Sequence, residues 1–393
     1  MSSDRDAPIE MASTLLADFE ERTGVVGREP GTRYLWTDAF AVCTYLSIAR
    51  ATGEARPLAH AERLVERVHH VLGRHRPDDV RRGWLSGLGD AEGESHPTLG
   101  GLRIGKTLPE RRPDEPYDDA LEWERDGQYF HYLAKWMHAL DQLARETGEP
   151  RHARAAVELA VVAHRAFVTR RPGARAPRMI WKASLDLARP LVASMGQHDP
   201  LDGLVTSLQL RATARRLDVG GDALEPAIDD YAAIVATSDL ATTDPLGLGG
   251  LLADAYRLAQ LGEVPLLAAG GLLDRVLDAA LDGLELYVGG GEPSGPASHR
   301  LGFRELGLAI GLPAIERFAS ELERDTLAGC DARRLRPPLA ELARHAALGE
   351  AITAFWLRPE SRRVRTWLEH HDIDEVMLAT ALAPEGFLVL GAR

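Results

Sequence analysis

Cysteine is nearly absent from this chain: only Cys43 and Cys330 occur in 393 residues. Two thiols so far apart make neither a metal-ligand spacing nor a disulfide framework. Cys43 lies inside an apolar helical run and reads as a small buried hydrophobe. An uninterrupted apolar run of about 18 residues is also missing, which excludes a membrane-spanning helix. Positive charge is in deficit, with 46 Lys and Arg against 59 Asp and Glu and a formal net charge of −13. Nucleic acid demands a basic face, so it is excluded as a partner, and an anionic membrane surface gains no general attraction. No low-complexity run or linker divides the chain, and the N-terminus, with Asp4, Asp6 and Glu10, lacks the apolar segment of a signal peptide. Strand signals are scarce; only Gly386–Leu390 reads as a strand or a tail. The expectation is a soluble, cytoplasmic, all-α protein forming one domain over 1–393, with no cofactor.

What the chain does have is a repeated turn. Thr52-Gly53-Glu54, Thr147-Gly148-Glu149 and Leu261-Gly262-Glu263 each end an apolar helical stretch and begin another. Glycine supplies the left-handed residue that closes a helix, and the acid after it favours the start of the next. Helices are expected over Met11–Arg22, Arg33–Ala51, Pro57–Arg74, Trp123–Thr147, Arg151–Thr169, from Met179, and over Leu204–Arg216 after an interruption at Gln197–Pro200. Further ones fit Leu224–Ala236, Leu246–Gln260, Leu267–Tyr287, Phe303–Leu322, Leu339–Leu357 and Ile373–Leu382. Residues 75–122 are rich in glycine and proline and read as a long rim loop of functional type. About twelve helices in consecutive pairs fit a closed ring, each pair giving one inner and one outer helix.

The hairpin pairing and the aromatic–acidic clusters at helix starts resemble the (α/α)6 toroids of the six-hairpin glycosidase-like superfamily. The residues carrying the resemblance are Arg33-Tyr-Leu-Trp-Thr-Asp38, Leu121-Glu-Trp-Glu-Arg-Asp-Gly-Gln-Tyr129 and Met179-Ile-Trp-Lys-Ala-Ser-Leu-Asp186. It is a resemblance of architecture over nearly the whole chain, and it implies a carbohydrate-active enzyme with its site at one rim of a central cavity.

In such a toroid the loops entering the inner helices converge, so candidate residues lie at those helix starts. Arg33, Trp36 and Asp38 form one group; Trp123, Glu124, Asp126 and Tyr129 a second; Trp181, Lys182 and Asp186 a third. Indole faces stack on sugar C–H faces, while carboxylates bind hydroxyls or transfer protons. Each also has a plain reading, as a helix-start acid or a packed aromatic. Asp126 falls on one stripe with Trp123, Phe130, Leu133 and Met137, and an acid on an apolar stripe needs a partner or a raised pKa. It is the preferred general acid or base.

The bend Gln197-His198-Asp199-Pro200-Leu-Asp202 is the second strong candidate, with Asp199 and Asp202 alternatively capping the following helix. No two-histidine metal pattern is present, so no metal is expected. In the long loop, Trp84, Arg103 and Lys106 are candidates for ligand binding, the two cations for a ligand carboxylate or phosphate. His299 is an alternative proton carrier. His131, Lys135 and His138 share a polar stripe that reads as a ring-internal or solvated face.

The leading expectation is an inverting glycoside hydrolase, a reaction run by two opposed carboxyl groups, here Asp126 and Asp199. The alternative is a sugar epimerase, isomerase or lyase using His198 or His299 as base, which predicts histidines facing across the cavity. A non-catalytic ligand-binding toroid predicts indoles without opposed titratable groups, and isoprenoid cyclisation is disfavoured by the polar loops. The expected partner is a small-molecule substrate, a saccharide.

Overall fold

A computed structural model describes residues 6–25, 31–170, 173, 176–291 and 294–391. In chain order the helices are α1 (Asp6–Thr23), α2 (Leu35–Thr52), α3 (Ala55–Leu72), the one-turn α4 (Asp90–Ser95) and α5 (Asp119–Glu124), α6 (Phe130–Thr147), α7 (Pro150–Phe167) and α8 (Asp199–Arg216). They continue with α9 (Glu225–Val235), α10 (Pro245–Leu261), α11 (Val264–Leu267), α12 (Leu272–Gly289), α13 (Gly302–Gly311), α14 (Pro313–Glu323), α15 (Ala332–Ala343), α16 (Ala347–Leu357), α17 (Arg365–Glu369), α18 (His371–Leu382) and α19 (Glu385–Leu388).

Packing order gives the architecture. Helix α2 packs on α6, α6 on α8, α8 on α10, α10 on α13, α13 on α18, and α18 returns to α2. The result is a closed ring of six inner helices, an all-α toroid. Helices α1, α3, α7, α9, α12 and α14 to α16 pack around it. The sequence of each layer follows from its position. Helix α2 lies between the hub and the outer layer, so Leu35 to Ile48 are all buried and no polar face survives. Helix α3 has one dry side, and Pro57, Ala61, Leu64, Val65, Val68 and Leu72 mark it at helical spacing.

The three repeated turns close inner helices as expected. Gly53, Gly148 and Gly262 have φ of 70°, 70° and 69°, and their N–H groups bond the carbonyls of Ala49, Ala144 and Leu258. A second use of glycine brings α10 against α13: a Cβ at Gly249 would lie 2.0 Å from the Gly307 carbonyl oxygen, whereas one at Gly53 would meet nothing within 4 Å. Gly53→Ala should therefore cost only the left-handed backbone penalty, about 1 kcal/mol, and Gly249→Ala more, about 1–3 kcal/mol of overpacking. Urea unfolding of the two variants checks the order.

Four expectations are corrected. Helix α6 begins at Phe130, because Gly127 (φ 152°) is extended in a way helix geometry forbids; residues 125–129 are not helical and Asp126 is on no helix stripe. The segment after Met179 is not helical but forms short strands β3 (Arg178–Met179), β4 (Lys182–Ala183) and β5 (Pro190–Val192), following β1 (Gln128–Tyr129) and β2 (Val168–Thr169). β4 pairs antiparallel with β1 and β5, and β2 with β3. Helix α8 is not interrupted at Pro200 but starts there, since a first-turn proline needs no N–H partner. The stretch 385–388 is helical rather than a strand.

That last segment plugs one end of the hub. Gly386 N–H donates to Ser47 Oγ (2.7 Å), His138 Nε2 to the Phe387 carbonyl (2.9 Å), Gln142 Nε2 to the Val389 carbonyl (2.9 Å) and Gln260 Nε2 to the Leu388 carbonyl (3.0 Å). The Phe387 ring stacks on Phe40 at 4.8 Å. A segment whose backbone is satisfied by inner-helix side chains needs no neighbouring strand. The hub is thus closed at the end where the inner helices finish and hollow at the end where they begin.

Candidate functional site

The hollow end of the ring holds a cavity of about 350 Å³. Its wall comes from inner helices: Trp36 and Phe40 of α2, His131 and Lys135 of α6, Asp199 and Asp202 of α8, Gly247 and, deeper along the helix, Asp254 and Arg257 of α10, and Arg304 of α13. Trp181, Gln197, His198 and Asp244 complete the rim, and Phe387 forms part of the floor. Two larger hollows lie elsewhere, about 620 Å³ at the plugged end and about 930 Å³ between α1 and the α2–α3 turn. The second includes Glu20, His60 and Tyr45, but these satisfy one another, with Tyr45 Oη 2.7 Å and His60 Nδ1 2.5 Å from Glu20 Oε1. Among the described residues, neither hollow is lined by a buried carboxyl left without a partner, as the hub is.

Asp199 is the exceptional group. It is 6% exposed, and its Oδ2 has no hydrogen-bond partner among the described residues. A carboxylate in the first turn of a helix is ordinarily favoured by the dipole. Here burial first, and then the negative charge of Asp202, push the Asp199 carboxyl up to about 7. Asp202 is held below its ordinary value: burial opposes this, but Lys135 and Arg257 outweigh it. Lys135 Nζ donates to Asp202 Oδ2 at 2.8 Å. Arg257 donates to Asp254 Oδ1 (2.8 Å), to Gln209 Oε1 (2.6 Å) and to Thr206 Oγ1 (3.0 Å). Asp254 is raised, chiefly by burial, despite this partner.

Two imidazoles share the cavity. The His131 ring is partly buried, and desolvation followed by repulsion from Lys135 brings it down to about 4. His198 is also lowered by burial, and its Nε2 sits 3.0 Å from the Leu240 carbonyl. A carbonyl only accepts, so Nε2 carries the proton and Nδ1, which faces Gly247, carries the lone pair. At neutral pH both rings are uncharged.

The structure therefore brings together Trp36, Trp181, Gln197, His198, Asp199 and Asp202 of the sequence candidates. The others lie elsewhere. Asp126 is fully buried and not in the cavity wall; Arg103 Nη1 (3.1 Å) and the Gly105 N–H (3.0 Å) bind it. It fastens the long loop to the core, so it is not the partner of Asp199. Arg33 and Asp38 pair with each other at 3.2 Å, and Arg33 Nη2 also bonds the Thr23 carbonyl. Asp186 is exposed in a turn, accepting from Ser184 Oγ, and His299 is exposed on a 3-10 turn. Trp84 is buried with the Arg74 guanidinium 4.4 Å from its ring centroid.

Lys106 lies over Tyr34, and Glu124 is exposed. Tyr129 is buried, stacked on Trp181 at 5.9 Å, with Trp123 edge-on to Trp181 at 4.8 Å and 44% exposed. None of the residues 75–122 lines the cavity. Instead of a cover, the loop is a collar pinned by Arg111–Glu122 (2.8 Å) and the buried Lys182–Glu122 pair (2.8 Å).

The residues missed as site members are His131, Lys135, Asp244, Asp254, Arg257 and Arg304. For the first two the signal existed as the four-residue polar step on α6. For Asp244 it was an acid immediately before Pro245. Asp254, Arg257 and Arg304 look in sequence like any solvated helix charges.

No protein-family model and no curated protein matches the sequence. Among solved structures the chain is similar to cellobiose 2-epimerase from Spirochaeta thermophila DSM 6192, at 13% identity and a TM-score of 0.48 over 98% of this chain and 99% of that one. The reading of the site rests on its own geometry.

Proposed function

We propose that the hub cavity binds a saccharide and moves a proton on the carbon beside its carbonyl, as a sugar epimerase or isomerase does. Asp199, protonated, donates to the carbonyl oxygen. One neutral imidazole, His198 Nδ1 or His131, takes the carbon-bound proton to leave an enediol, and a proton returned to carbon completes the turnover. Trp36 and Trp181 are the indoles of the wall, and Gln197 is a further wall residue. The observation that carries this reading is the combination of one unengaged buried carboxyl with two uncharged imidazoles in one hollow. Hydrolysis by opposed carboxylates asks for a second free acid, and the other cavity aspartates, Asp202, Asp244 and Asp254, each face a cation.

The test is incubation of aldoses, ketoses and disaccharides in D₂O, followed by NMR. Deuterium entering beside the carbonyl, with a new epimer or ketose, is the expected result. Release of a monosaccharide without deuterium would restore the hydrolase, and an unsaturated product would make it a lyase. The pH dependence follows from the two groups. kcat/KM should rise as His131 loses its proton near 4 and fall as Asp199 ionises near 7, giving a bell with its top at about pH 5–6.

A further inference from the structure

We propose that the cavity is built for an uncharged sugar, and that Asp244 enforces this by neutralising Arg304 at the rim. The proposal rests on the reading that this cavity is the substrate site, but not on the reaction run there. Three cations in the wall, Lys135, Arg257 and Arg304, would by themselves suggest a pocket for a sugar acid or a sugar phosphate. Each is answered from within the same wall: Lys135 by Asp202 at 2.8 Å, Arg257 by Asp254 at 2.8 Å with Asp202 at 3.7 Å, and Arg304 by Asp244. Arg257 has also committed Nε and Nη2 to Gln209 and Thr206. His131 and His198 add no charge, and Asp199 can add only a negative one. An incoming carboxylate or phosphate would have to give up its water without gaining an unpaired cation, and in a partly dry hollow that is strongly unfavourable.

A neutral polyol meets a different wall. Arg304 Nε and Asp199 Oδ2, on two residues of the cavity wall, are buried polar atoms without a hydrogen-bond partner among the described residues. The Asp244–Arg304 pair is the one that can be released without unmaking the fold. Both side chains are more than a third exposed, and Asp244 Oδ1 caps α10 by accepting from the Leu246 N–H at 3.0 Å. Asparagine caps as well as aspartate, so Asp244→Asn removes the charge, keeps the helix start and leaves Arg304 uncompensated.

The experiment compares glucose and galactose with glucuronate, galacturonate and the two 6-phosphates, by ligand-observed NMR on the wild-type protein and Asp244→Asn. The wild type should prefer the neutral sugars by roughly 100-fold or more, which is the scale of an unpaired charge. Asp244→Asn should shrink that preference to under about tenfold by gaining affinity for the anions, with its melting temperature showing that the fold is retained. Wild-type binding of uronates or phosphates as tight as that of neutral sugars overturns the proposal. So does binding of neither class, or an Asp244→Asn preference equal to the wild type's. If no sugar exchanges deuterium but the neutral preference holds, the reaction is refuted and the charge rule stands; exchange on a uronate does the reverse.

Discussion

Asp199→Asn should lose turnover by about 10²–10⁴-fold, the usual contribution of a positioned acid, while the folded protein becomes more stable at alkaline pH. The two effects have one cause. Burial and Asp202 raise the Asp199 carboxyl from 3.8 to about 7. A group whose pKa is raised by folding supports the fold fully below its unfolded pKa and loses that support as pH rises through the folded one. Wild-type stability therefore falls between about pH 4 and pH 7 from this group. Asp374 acts in the same direction over a higher range. Buried on α18 beside Gly302, it is pushed up to about 8 by desolvation. At pH 8 the Asp199→Asn protein should be more stable than wild type by on the order of 2 kcal/mol, and the gain should vanish below about pH 4. Urea titrations at pH 4 and pH 8 measure it. Full activity in the variant, or lower stability at pH 8, would contradict the assignment.

Asp126→Ala should destabilise the protein by about 3–5 kcal/mol, because it leaves Arg103 buried without its carboxylate; Arg103→Ala should cost less, because Arg76 Nη1 stays 3.8 Å from Asp126. The pair is nearly fully dry, with Asp126 at 0% and Arg103 at 7% exposure. Arg103 also donates to the carbonyls of Arg74 and Val71, and Gly105 N–H donates to Asp126. These contacts tie the collar to the end of α3. The double variant should cost clearly less than the sum of the two singles, since the charge left behind is counted once. Activity per folded molecule should stay within about tenfold of wild type, because a structural pair outside the cavity contributes no proton to the reaction. A catalytic Asp126 would show the opposite profile, with little change in stability and loss of turnover.

The ring was legible because its signals are local. Gly53, Gly148 and Gly262 announce helix ends, and the helical spacing of the apolar residues of α3 announces its one dry side. Of the aromatic–acidic segments, Trp36 and Trp181 line the cavity and Asp126 does not. Asp126 was placed on a helix stripe by counting across Gly127, whose φ of 152° ends any such count. Its partner, Arg103, comes from a loop whose course no periodicity describes. The segment 178–192 reads as helical from its apolar spacing, yet its backbone pairs with β1, which is a tertiary choice. The 197–202 bend does line the cavity, but the local reason given for it needs revising. Pro200 begins α8 instead of breaking it, and this is what aims Asp199 and Asp202 into the hub. Lys135 was seen on a polar stripe that could be ring-internal or solvated, and Arg257 escaped notice, because a charge on an inner helix and one on an outer helix look alike until the ring closes.

The central claim, that Asp199 is a protonated acid waiting for a sugar, is tested most directly by following aspartate side-chain carboxyl carbons by ¹³C NMR across pH, with and without a neutral sugar at saturation. The account predicts one carboxyl titrating near 7, missing from Asp199→Asn and displaced when sugar is added. Titration of that carboxyl near 4, or a titration indifferent to sugar, would contradict it.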